Sequence, residues 1–71
     1  MFNDDLFVEA VTRRGKTMAE VAEAIGIDES TLYRKRKGIS EFTAKEIKGI
    51  RVFLNLDLSE QDNIFFAEEL A

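Results

Sequence analysis

The sequence contains no cysteine, no proline and no histidine among its 71 residues. Without cysteine there is no disulfide and no thiolate metal site, and nothing favours an oxidising compartment, so a reducing cytoplasm is the expected location. The missing histidine removes the commonest general base and the commonest transition-metal ligand. What chemistry is left belongs to carboxylates and lysines, and no nucleophile and base stand at motif spacing. No alternating Asp/Asn ladder with a central glycine marks a calcium loop. No catalytic residue, metal or cofactor is therefore assigned, and the chain is not read as an enzyme. Long apolar runs are also lacking: none approaches the roughly 20 residues that cross a bilayer, and no signal pattern opens the chain, which argues against a membrane partner. At this length a single domain spanning 1–71 is expected, with a core small enough that self-association is a common supplement.

Charge is unevenly distributed. The net charge of −4 argues at first against a polyanionic partner, since Lys and Arg drive phosphate binding by releasing counterions. All ten basic residues, however, lie between Arg13 and Arg51 with six acids among them, which leaves that stretch net positive by four. The other eight acids (Asp4, Asp5, Glu9, Asp57, Glu60, Asp62, Glu68 and Glu69) form purely acidic flanks. This patterning separates the middle of the chain electrostatically from both ends.

Helical periodicity and capping residues divide the chain into about five short helices. Leu6, Phe7, Ala10 and Val11 make a one-sided stripe between Asp4 and about Arg14, with acids at the start, basic residues at the end and Gly15 as the stop. Thr17 and Glu20 form a capping box that opens a helix to about Ala24, with Met18, Val21 and Ala22 inward. Gly26 ends it, Ile27 re-enters the core, and Asp28 caps a third helix running to about Lys37, anchored by Leu32 and terminated by Gly38. Thr43 and Glu46 form a second capping box before Ile47, Ile50, Phe53 and Leu54, and Ser59 with Asp62 resembles a cap for a last helix carrying Ile64, Phe65, Phe66 and Leu70. The alternating Leu54 to Leu58 makes a poor strand, because Asn55 and Asp57 interrupt it and no partner strand exists. The expected fold is all-α.

The segment TMAEVAEAIGIDESTLYRKRKG, residues 17–38, closely resembles the helix-turn-helix of the lambda-repressor and Cro-like family. Ala22 matches the small residue where two helices approach, Gly26 the turn, Ile27 and Leu32 the buried positions, and Gly38 the end of the recognition helix. The tail ISEFTAKEIKGIRVFLNLDLSEQDNIFFAEELA is similar to small phage-encoded regulators of this group, its Phe65-Phe66 pair included. The resemblance implies a compact helical bundle that binds an operator in double-stranded DNA and regulates transcription, as a phage or prophage repressor or Cro-like protein, with helix 28–37 in the major groove.

Carried over residue by residue, the resemblance implies base contacts from Glu29, Ser30, Tyr33 and Arg34. Arg34 can donate twice to guanine O6 and N7, Glu29 can accept from cytosine N4, and Ser30 can bond either way. Lys16, Thr17, Lys35, Arg36 and Lys37 suit phosphates. Two departures stand out. Lys35 occupies a position where many relatives carry Trp or Leu, which anchors the back of the recognition helix less well unless its stem lies along the core and its head reaches water. Asp28 and Glu29 bring negative charge near the phosphates, although Asp28 also reads as a plain cap and Glu29 as a solvated first-turn acid. Tyr33 either meets DNA or packs on a neighbouring helix. Six phenylalanines in so small a chain suggest more apolar area than one core covers, which motivates a homodimer with Phe65 or Phe66 at a two-fold interface. The rival reading is a helix-turn-helix-like interaction module, an antirepressor or inhibitor that binds a partner regulator through the acidic flanks and the last helix.

Overall fold

The computed structural model describes residues 1–67 and holds five helices: α1 Asp4–Arg13, α2 Met18–Ala24, α3 Glu29–Arg36, α4 Ala44–Leu54 and α5 Leu58–Phe65. Among these residues there is no strand, and no helix is long and apolar enough to cross a membrane. Leu70, Glu68 and Glu69, named above for the last helix and the acidic flank, lie outside the described residues.

Both expected capping boxes form. Thr17 Oγ1 accepts from the Glu20 amide at 3.1 Å while Glu20 Oε1 accepts from the Thr17 amide at 2.8 Å. Thr43 and Glu46 repeat the arrangement at 3.1 and 2.9 Å. Each box satisfies two of the amide groups that a helix start leaves unpaired. Between α2 and α3, Gly26 takes the left-handed conformation (φ +76°), and the Ile27 amide donates back to the Ala22 carbonyl at 3.0 Å. This closes α2 and turns the chain within three residues into Asp28, whose Oδ1 accepts from the Thr31 amide at 2.9 Å.

The start of α5 differs from expectation. Asp57, not Ser59, is the cap, in a third capping box with Glu60. The reason lies at the end of α4. Asn55 adopts a left-handed φ of 53°, the Leu56 amide bonds to the Arg51 carbonyl at 2.9 Å, and Leu56 is buried. That closure turns the chain at once, so α5 begins at Leu58 and Ser59 falls inside its first turn. Arg14 adds to the closure by donating through Nε to the Leu54 carbonyl at 2.7 Å and through Nη2 to the Asn55 carbonyl at 3.2 Å, so a cation sits where the α4 dipole is negative.

The core gathers Phe7, Ala10, Val11, Val21, Ala22, Leu32, Ile50, Leu54, Leu56, Ile64 and Phe65 from every helix and the α4–α5 turn. Leu6, expected in the α1 stripe, lies at the surface instead. Phe2, Phe42 and Phe65 pack mutually, with ring centroids 4.9 to 5.4 Å apart, and Phe7 joins through Phe2 at 5.3 Å. The N-terminal segment is fastened to the end of α5 by Asn3 N–H to the Ile64 carbonyl and Ala67 N–H to the Met1 carbonyl. Gly49, inside α4, has a packing role: a Cβ there would meet Ile25 Cγ2 at 3.0 Å, so its absence lets α4 lie close against the end of α2.

Candidate nucleic-acid interface

Helix α3 buries a single residue, Leu32, against the rest of the molecule. Four of its eight residues are exposed. Its outer face presents Glu29, Ser30, Tyr33 and Arg34, followed by Lys37 just past the helix end, all exposed. Positions spaced by one, four, five and eight share one side of a helix, so these five form a single surface. Tyr33 is 55% exposed and does not pack into a neighbouring helix; the Lys37 ammonium lies over its ring at 5.4 Å. Arg34 makes no ion pair among the described residues. Asp28 is a cap: it also accepts from Ser30 Oγ at 3.2 Å, and the bonds from Thr31 and Ser30 hold its carboxyl below the ordinary value. A cleft of about 320 Å³ between the start of α2 and this face is lined by Met18, Glu29, Ser30, Leu32, Tyr33 and Arg36. Lys16 and Thr17, at the mouth of α2, are exposed, with Lys16 Nζ 5.3 Å above the Phe53 ring.

Lys35 and Arg36 lie elsewhere. Lys35 turns inward along the core and its ammonium reaches Glu46 Oε1 at 3.0 Å and the Glu41 carbonyl at 2.8 Å. Its head thus ends on α4 and the loop before it and not in water, with only 11% of the side chain exposed. Burial raises the Glu46 carboxyl, but the Thr43 amide and Lys35 outweigh it and leave the net shift downward. Arg36 forms a two-point bond with Asp4, Nε to Oδ1 at 2.8 Å and Nη2 to Oδ2 at 3.2 Å, while Lys37 Nζ stands 3.6 Å from the same carboxylate. In this conformation neither Lys35 nor Arg36 is open to a phosphate. Their ion pairs fasten α3 to α4 and to α1. Phe65, expected at a subunit interface, is 6% exposed inside the aromatic cluster and offers no surface to a second copy. Phe66 is half-buried in a groove with Ile47 and Leu58.

In the sequence Asp4 reads as a first-turn acid of α1 and as part of the acidic flank. Its role as the shared partner of Arg36 and Lys37 was not legible, because the residues are 32 and 33 positions apart. Bonds from Arg36, opposed by partial burial and assisted by the Arg36 and Lys37 charges, hold the Asp4 carboxyl below its ordinary 3.8. A depressed folded-state value means that this contribution to stability is fully present above the ordinary value and is lost as pH falls through the folded one. The unfolding temperature should therefore drop as pH falls below the ordinary carboxylate range, and Asp4→Asn, melted over the same range, should show a smaller drop.

A family model described as helix-turn-helix matches residues 9–61. No curated protein and no solved structure matches the chain.

Proposed function

The chain belongs to the lambda-repressor-like helix-turn-helix family, a family of DNA-binding transcriptional regulators, and on that premise we propose that it reads duplex DNA sequence-specifically with the outer face of α3. The observation that carries this is the composition of that face. Glu29, Ser30, Tyr33 and Arg34 are exposed together on a short helix with one buried residue, and Arg34 forms no ion pair among the described residues. An α-helix fits the major groove, where the edge of each base pair carries its own donor and acceptor pattern. Arg34 pairs with guanine O6 and N7, Ser30 and Glu29 contact neighbouring bases, and Tyr33 supplies an apolar ring with a polar tip. Lys16 and Thr17 hold the phosphates beside the groove and set the register.

The protein acts as a small repressor of the phage or Cro-like kind, a reading that rests on the sequence resemblance of residues 39–71 to such regulators. It binds its operator as a homodimer, with half-sites about 34 Å apart. Phe66 and the exposed Leu58 beside it supply the apolar contact, in place of the buried Phe65.

Selection from a mixed pool of short duplexes tests the function. The expected result is enrichment of one repeated or palindromic sequence, with affinity falling steeply as salt rises. Equal, weak binding to all members of the pool even at low salt contradicts sequence-specific reading and moves the assignment to a protein-interaction module.

A further inference from the structure

Asp4 stands at the rim of the α3 face. Its carboxylate holds Arg36 at two points, 2.8 and 3.2 Å, and lies 3.6 Å from the Lys37 ammonium. Both cations border the reading surface: Arg36 lines the cleft beside Tyr33, and Lys37 sits over the Tyr33 ring. The carboxylate is fixed in place. Asn3 caps α1 by accepting from the Leu6 amide, its own amide bonds to the Ile64 carbonyl, and Phe2 is set into the aromatic cluster. A carboxylate paired with an arginine fork and a neighbouring lysine makes the same contacts that a DNA phosphate would make.

We infer that Asp4 is a specificity-determining residue: it occupies Arg36 and Lys37 as a built-in substitute for phosphate and so withholds two cations from sequence-independent DNA binding. This rests on the DNA-reading assignment above. Base contacts distinguish sequences, while phosphate contacts strengthen right and wrong sites alike. Phosphate contacts are also what lets a protein linger on bulk DNA. Neutralising Arg36 and Lys37, while Arg34 is in no ion pair among the described residues, shifts the balance toward the base edges. The middle of the chain is net positive in sequence, yet Arg13, Arg14, Lys35, Arg36 and Lys37 are all paired with Glu9, Glu60, Glu46 or Asp4. Asp4 is the acid in this set that takes two cations from the reading helix and its end.

The test compares wild type, Asp4→Asn and Asp5→Asn on one mixed-sequence duplex between about 50 and about 200 mM salt. Asp5 is exposed and makes no ion pair among the described residues, so its replacement removes the same charge without uncovering a cation. Asp4→Asn should bind the mixed duplex more tightly, and its plot of log affinity against log salt should steepen by about 0.9 if one cation reaches a phosphate and about 1.8 if both do. One released contact corresponds to an advantage over wild type that shrinks about 3.5-fold across that salt range. Asp5→Asn should keep the wild-type slope.

An unchanged slope in folded Asp4→Asn, with wild type itself binding DNA, overturns the inference and leaves the DNA-reading assignment standing. Absence of duplex binding by both proteins overturns both. Should Asp4→Asn fail to fold, Lys37→Gln supplies the opposite test, because it leaves the Asp4–Arg36 bond in place. A withheld lysine contributes nothing, so the wild-type slope is retained, whereas a slope shallower by about 0.9 shows Lys37 already on phosphate and contradicts the inference.

Discussion

Replacing Arg34 with alanine is expected to lower affinity for the selected operator by about 5- to 150-fold while leaving binding to mixed DNA and the unfolding temperature nearly unchanged. The range is the one to three kcal/mol, roughly, that a two-point pair with guanine contributes. The asymmetry follows from position. Arg34 is exposed and in no ion pair among the described residues, so its removal leaves no stranded acid and no cavity in the core. Surface changes of this kind alter stability by about 0.5 kcal/mol or less. Its loss should also relax selection at one base position, which a repeat of the duplex-pool experiment reads directly. The same truncation at Arg36 would not isolate DNA contacts, since it strands Asp4 and loosens α1 from α3.

Phe65→Ala should unfold most of the protein at room temperature. A buried phenylalanine truncated to alanine costs about 3–5 kcal/mol, and a core in a chain of this size rarely supplies more than about that amount. Phe65 is in ring contact with Phe2 and Phe42, so the change also removes aromatic pairs that contribute roughly 0.5–1.5 kcal/mol each beyond burial. Circular-dichroism melts at two protein concentrations distinguish this from an interface role. A core residue gives the same loss at both concentrations, while an interface residue leaves a folded monomer whose melting no longer depends on concentration. Phe66→Ala is expected to fall in the second class, and sedimentation of that variant tests the proposed dimer contact.

What could be read from the sequence was local. Thr17 with Glu20 and Thr43 with Glu46 satisfy each other across three residues, so the pair and its partner backbone are visible together. Gly26 and Gly38, both at positive φ, mark their helix ends because other residues resist that conformation. The α3 face was implied by the resemblance to the helix-turn-helix family, and Leu32 was legible as the apolar anchor of an otherwise polar helix. What could not be read was decided by tertiary neighbours. Lys35 looks like its basic neighbours in sequence, yet only the approach of α4 directs it to Glu46. Arg36 is claimed by an acid 32 residues away. Adjacent Phe65 and Phe66 are interchangeable by composition, and the direction of α5 alone sends the first into the core. Asp57 caps α5 in place of Ser59 because the left-handed turn at Asn55 starts α5 early, and that turn goes with Leu56 being drawn into the core.

The central claim is that the outer face of α3 enters the major groove, and titrating the ¹⁵N-labelled protein with the duplex that emerges from selection tests it most directly. The predicted result is that the largest amide shifts fall on Glu29, Ser30, Tyr33 and Arg34, with Thr17 at the mouth of α2. Shifts centred on Leu58 and Phe66, with α3 silent, would contradict the account and assign that surface, and not the helix-turn-helix, to the partner.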